Sequence, residues 1–99
     1  MGYYNEERYE LILEVICSYK GIKKEEINKI LKDRECKYFL FLLLNQYRCF
    51  DCEKVKQDFN YKSNQAIKNN IKKAEEKFFI NREFREKFFE VQKIAKKII

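Results

Sequence analysis

Apolar side chains recur every three or four positions along nearly the whole chain, the spacing that gathers them on one face of an α-helix. Tyr9, Ile12, Ile16 and Tyr19 make the first stripe, widened by Val15, and predict a helix over 5–19 with Asn5 as its N-cap. Gly21 follows, suited to the left-handed conformation that closes a helix. Ile22, Ile27, Ile30 and Leu31 predict a short second helix starting near Lys23, with Glu25 and Glu26 in its first turn, where the helix dipole favours acids. After a charged break at 32–35 the third helix is expected over 34–47. Its run 38–44 is apolar on every side, so it belongs at the centre with other helices packed round it. Asp51 and Ser63 read as N-caps of a short helix over 52–58 and of a longer helix beyond it. Residues 59–62 form the turn between these two, in which Asn60 tolerates positive φ. The longer helix carries Ile67, Ile71, Ala74 and Phe78 on one stripe and Asn64, Gln65, Lys68, Asn69 and Lys72 on the opposite face. Asn81 caps a last helix with the stripe Phe84, Phe88, Val91, Ala95 and Ile98, while Phe89, Ile94 and Ile99 fall off that stripe.

Composition supports the pattern. Ninety-nine residues, 45% of them hydrophobic, suffice for one core and one domain spanning 1–99. Proline is absent and the only glycines are Gly2 and Gly21, so tight-turn chemistry is nearly missing. The expected fold is therefore all-α, a compact bundle of about five to six helices. Histidine is absent as well, which removes the commonest general base and metal ligand. Cys49 and Cys52 form a single C-x-x-C, with Cys17 and Cys36 standing alone. One such pair without a second pair or a histidine does not complete a zinc site, and no strand precedes it as in redox proteins. The thiols are expected to be buried or half-buried packing groups. Nothing pairs a nucleophile with a base, so no enzyme, cofactor, metal or small-molecule substrate is expected. The polar N-terminus holds Glu6 and Glu7, unlike a secretory signal, and the longest apolar run has seven residues, too few to span a bilayer. A soluble cytoplasmic protein without a membrane partner is the expectation.

The net charge of +6 changes the picture through its placement. Lys, Asn, Ile, Phe and Tyr are abundant together, a bias that AT-rich coding can impose, so the total alone means little. Residues 1–50 carry nine basic and eight acidic groups, whereas 51–99 carry thirteen and eight. The basic second half points to a polyanionic partner.

That half also holds a short helix, a brief turn and a longer helix, the parts of a helix-turn-helix over about 51–77. In such a motif the N-terminal half of the second helix presents amides that pair with adenine and cations that meet guanine or phosphate. Asn64, Gln65, Lys68 and Asn69 answer that requirement, with 65 and 69, and 64 and 68, one turn apart on shared faces. Lys72 lies further along for a phosphate, and Lys62 and Ser63 stand at the entrance to the helix. Lys32, Arg34 and Lys37 supply further positive charge near the second break, interrupted by Asp33 and Glu35.

The segment 59–76, FNYKSNQAIKNNIKKAEE, resembles the signature of the C-terminal DNA-binding domain of the bacterial chromosomal replication initiator DnaA, roughly F-G-G-R-D-H-T-T-V-x-x-A-x-x-K-I-E. Phe59, Lys62 for the arginine, Ile67 for the valine, Lys73 and Glu75 carry the match. Upstream, 12–22 is similar to the family's first helix and 32–47 to its basic loop and long apolar helix; downstream, 78–98 resembles its final helix. The likeness covers about 9–99 and implies a Trp-repressor-like helix-turn-helix fold that binds double-stranded DNA, with Lys32, Arg34 and Lys37 touching backbone and minor groove. Asn60 and Tyr61 replace the family's two glycines, and Ser63-Asn64-Gln65-Ala66 replace its base-reading Asp-His-Thr-Thr, implying an altered sequence preference. The initiator's ATPase is not implied, because no G-x-x-x-x-G-K-[ST] occurs. The alternative is a protein-interaction module that keeps the fold without DNA binding, dimeric through the off-stripe residues of its C-terminal helix.

Overall fold

A computed structural model describes residues 6–99, so the N-cap expected at Asn5 lies outside the described residues. The described chain is entirely helical apart from short connections: α1 Glu6–Lys20, a 3-10 turn Lys24–Glu26, α2 Asn28–Lys32, α3 Arg34–Gln46, α4 Cys52–Phe59, α5 Asn64–Ile80 and α6 Arg82–Ile98. The all-α bundle expected from the spacing is what forms, in a body of 31 × 30 × 26 Å.

Helix α3 is the central element, packing against α1, α2, α5 and α6. Its sequence demands this position. Tyr38, Phe39, Leu40, Phe41, Leu43 and Leu44 are all buried, so within the run 38–44 only Leu42 is left half-exposed. Around it Tyr9, Ile12, Val15 and Ile16 from α1, Ile67 and Ala74 from α5, and Phe84, Phe88, Val91 and Ala95 from α6 complete the core, as their stripes predict. Ile98 departs from its stripe: it lies at the last turn of α6, where no neighbour covers it fully, and is 36% exposed.

The expected second helix splits in two. A 3-10 turn precedes α2 because Glu26 accepts a hydrogen bond from the Lys23 backbone N–H (3.2 Å), tightening the entry, and only five residues then follow in α form. The charged break between α2 and α3 is also shorter than the sequence implies. Only Asp33 lies between the helices, and its carboxylate caps α3 by accepting from Cys36 N–H (3.1 Å). Lys32 thus closes α2, while Arg34 and Lys37 lie in the first turns of α3. The basic loop implied by the family resemblance is a helix–helix corner.

Three helices end in the same manner. Gly21 (φ 77°), Arg48 (φ 56°) and Asn60 (φ 58°) take left-handed conformations after α1, α3 and α4. In each, the next residue's N–H reaches back five positions: Ile22 to Cys17 (3.0 Å), Cys49 to Leu44 (3.1 Å) and Tyr61 to Lys56 (3.1 Å). Glycine accepts that conformation freely and asparagine tolerates it, but arginine has a Cβ that opposes it. The exposed Arg48 is thus the strained cap, and Arg48→Gly is expected to stabilise the fold by about 1 kcal/mol. Thermal unfolding followed by circular dichroism should show a rise of about 4–8 °C for a domain of this size. No rise would mean that the Arg48 side chain offsets its backbone strain.

Candidate nucleic-acid interface

Two contacts fix α4. Tyr9, fully buried in α1, donates its hydroxyl hydrogen to Asp58 Oδ2 at 2.8 Å, and Lys54 pairs with the same carboxylate at 3.5 Å. Val55 and Phe59 enter the core, and Cys52 is half-buried at the start of the helix. Asp51 accepts from the N–H groups of Glu53 (2.9 Å) and Lys54 (3.4 Å) as its N-cap.

The connection from α4 to α5 is Asn60–Ser63 in outline, and it is built without glycine. Asn60 supplies the positive φ, and Tyr61 turns its ring inward to lie 6.1 Å from the Phe41 ring. Burial pushes the Tyr61 hydroxyl above its ordinary pKa, with the nearby Tyr38 adding to the effect. Where the resembling family has a second glycine, this chain has an aromatic anchor that pins the turn to α3. Ser63 then caps α5, its Oγ accepting from Ala66 N–H at 3.2 Å. That use occupies the hydroxyl as an acceptor and leaves its hydrogen free to donate outward.

All seven candidate residues from this unit are exposed: Lys62, Ser63, Asn64, Gln65, Lys68, Asn69 and Lys72. They line the turn and the first half of α5, which Ile67 and Ala74 hold against α3 from the opposite side. Gln65 donates from Nε2 to Asn69 Oδ1 at 3.0 Å, so the two amides form one pre-ordered pair across a helical turn. Asn70 is diverted inward, donating to the Ala66 carbonyl at 2.9 Å. Over 62–73 there are four lysines and no acid.

The second set of candidates gathers beside this helix. Lys37 has its pKa held below the usual lysine value, first by partial burial and then by the charges of Arg34 and Lys73. Arg34 and Lys73 line one concavity between α3 and α5 together with Tyr38, Glu76 and Lys77, and the half-buried Lys37 lies close enough to both to feel their charge. Sequence reasoning did not place Lys73 in the site, although its spacing of four from Asn69 was the available signal. The interrupting acids are both answered by cations elsewhere. Asp33 pairs with Lys20, which lowers its pKa, and Glu35 pairs with Lys87 of α6 at 3.3 Å. Among the described residues, no carboxylate comes within ion-pair distance of Lys32, Arg34, Lys37 or Lys73. A concavity lined by Lys20, Lys29, Lys32, Asp33 and Arg34 extends the positive surface past the α2–α3 corner. Lys29 is compensated there by Glu26, and Lys20 by Asp33.

The cysteines remain apart from this surface. Cys17, Cys36 and Cys49 are buried, Cys52 is half-buried, and all four are free thiols. Burial raises the pKa of the first three, that of Cys36 to about 11 with Asp33 contributing, so they stay protonated and inert near neutral pH. Among the described residues no helix is long and apolar enough to cross a membrane. No protein-family model, no curated protein and no solved structure matches this chain.

Proposed function

We propose that this chain is a cytoplasmic double-stranded DNA-binding protein that uses α4 and α5 as a helix-turn-helix and needs neither cofactor nor catalysis. The observation that carries the proposal is the exposed, acid-free first half of α5, with the cations Arg34, half-buried Lys37 and Lys73 beside it. Mutual repulsion among those cations is relieved when phosphate oxygens come between them. The first nine residues of α5 extend about 13 Å at 1.5 Å per residue, a length that fits a major groove about 12 Å wide. In the Gln65–Asn69 pair, Gln65 keeps a carbonyl oxygen and Asn69 keeps its amide hydrogens for outside partners. An acceptor and a donor side by side complement the N6 amino group and N7 of adenine. The resemblance to the replication initiator's C-terminal domain supports the same reading and gives α5 the groove-reading role, with an altered sequence preference.

Selection of bound duplexes from a random pool, at moderate and high salt, tests this. The expected result is an enriched motif containing adenine and an affinity that falls linearly in log–log with salt. Retention of no duplex at any salt would overturn the proposal. It would leave the protein-interaction module, a reading favoured by the exposure of Phe79 (76%) and Ile80 (83%) at the far end of α5.

A further inference from the structure

Between the start of α3 and the second half of α5 lies a concavity of about 340 Å³, within the size range of small-molecule sites. Arg34 and Tyr38, one turn apart, line it from α3, and Lys73 and Lys77, also one turn apart, line it from α5. Among the described residues none of its three cations has a carboxylate within ion-pair distance. Glu76 is the single acid in the lining and forms no ion pair there, so three positive charges face one negative. Aromatic rings hold the ammonium of Lys77 in place, with its Nζ 5.2 Å from the Phe84 ring centre and 5.9 Å from that of Tyr38. The Lys37 Nζ lies 5.6 Å from the same Tyr38 ring and adds further positive charge beside the concavity.

Tyr38 supplies an independent sign. The residue is only 6% exposed, yet its hydroxyl makes no hydrogen bond among the described residues. Buried polar groups are as a rule hydrogen-bonded, and one without a partner costs stability until an acceptor reaches it. Asn81 Oδ1 accepts from Phe84 N–H at 2.9 Å, which leaves the Asn81 amide hydrogens for an outside partner. Guanidinium, ammonium, amide and phenol groups therefore all offer hydrogens to the same space. The ligand that answers them is rich in acceptor oxygens and carries about two negative charges. A phosphate monoester has about −1.5 to −2 near pH 7, whereas each phosphate of a DNA backbone has only about one. Ile80, 83% exposed in the same lining, offers apolar support to the body that bears the phosphate. The other basic concavity, at the α2–α3 corner, is less suited, because its Lys20 and Lys29 are already bound to Asp33 and Glu26.

We infer that this concavity binds a small phosphate monoester with an apolar body, Arg34, Lys73 and Lys77 holding the phosphoryl oxygens and Ile80 supporting the body. The site does not depend on the DNA-binding reading. Lys77 lies about 20 Å along α5 from Asn64, at 1.5 Å per residue, so a ligand here and a duplex at the reading end occupy different parts of the helix. Arg34 and Lys73 enter both readings; Tyr38, Lys77, Ile80 and Asn81 enter this one alone.

Phenyl phosphate is the probe, titrated without DNA into isotope-labelled protein and followed by the shifts of backbone amide resonances. The expected result is saturable binding with a Kd of about 0.1–1 mM and the largest shifts over 34–38 and 73–81. Arg34→Gln with Lys73→Gln should weaken it at least about tenfold while helicity holds, because both side chains are exposed. Glu76→Gln should tighten it about two- to fivefold by removing the one opposing charge. Tyr38→Phe should weaken binding without lowering the thermal midpoint, because its hydroxyl has no partner to lose in the unliganded fold. Shifts as large over 62–72 as over 73–81, or equal affinity in the Arg34→Gln, Lys73→Gln variant, would overturn the inference and leave only a general attraction of anions to lysines. Equal affinity for phenyl methyl phosphate, which has the same body and the single charge of a backbone diester, would overturn the choice of a monoester. Equal affinity for inorganic phosphate would remove the part given to Ile80. Because no duplex is present, failure of this titration leaves the DNA-binding reading standing, and a protein that binds the probe but no duplex loses only that reading.

Discussion

Phe39→Ala is expected to cost about 3–5 kcal/mol, the range for removing a large aromatic side chain from a close-packed core. Phe39 is fully buried at the midpoint of the central helix. Its ring stacks on Phe84 at 4.8 Å and Phe88 at 5.9 Å from α6, and meets the edge of Tyr19 from α1 at 5.6 Å. One side chain therefore joins three helices, and the cavity left behind cannot be filled by moving any one of them. Against a total stability of about 5–15 kcal/mol for a domain of ordinary stability, this loss is a large fraction. The urea midpoint should fall by about 1 M or more, given slopes of about 1–3 kcal/mol per M. Phe79→Ala is the matched control. It deletes the same ring where that ring is 76% exposed, and it should change stability by about 0.5 kcal/mol or less. Equal effects at the two positions would refute the central role assigned to α3.

That contrast also shows which parts of the fold the sequence reveals. The uninterrupted apolar run 38–44 already requires a surrounded helix, since no single face can bury seven such side chains. Caps at Asp51, Ser63 and Asn81 are equally legible, because each side chain serves backbone N–H groups within three residues of itself. Asp33 is harder to read as a cap: the expected start of α3 at Arg34 puts it in the capping position, but in a run of alternating charges it looks like part of a solvated break. Arg48 gives no warning at all. Its left-handed backbone follows from the bond between Cys49 N–H and the Leu44 carbonyl, which tertiary packing of Cys49 imposes on a residue type that does not favour it.

The candidate site divides along the same line. Side-chain periodicity is local, so the exposed face Asn64–Gln65–Lys68–Asn69–Lys72 can be written down from spacing alone. Its joining to Arg34 and Lys37 is a contact between α3 and α5, separated by some thirty residues, and spacing within one helix carries no information about it. The same holds for the neutralisation of Glu35 by Lys87, which lies 52 residues away. In sequence these acids dilute the basic segment; in the fold they face cations on other elements and leave Lys32, Arg34 and the half-buried Lys37 without a carboxylate partner among the described residues.

Charge reversal at Lys68 and Lys72 provides the largest functional effect expected under the DNA-binding proposal. Each phosphate neutralised by a lysine adds about 0.9 to the log–log salt slope, so each is worth close to tenfold in affinity near 0.1 M salt. Removing two such lysines lowers the slope by about 1.8, and the added repulsion of two carboxylates brings the total fall in affinity to about 10²–10³-fold. Both side chains are exposed and neither forms an ion pair among the described residues, so Lys68→Glu with Lys72→Glu should leave the helical signal intact. Fluorescence anisotropy with a labelled duplex across a salt series measures both quantities. Asn64→Ala with Gln65→Ala supplies the opposite signature, because amides read bases and carry no charge to release counterions. Affinity for the selected duplex should fall by about 1–3 kcal/mol for each bidentate amide–base pair removed, affinity for scrambled duplex should hold, and the salt slope should stay constant. If the amide variant weakens both duplexes equally, α5 does not read sequence. If the lysine variant leaves the slope unchanged, the phosphates are met elsewhere, and the Arg34–Lys37–Lys73 cluster becomes the surface that must account for them.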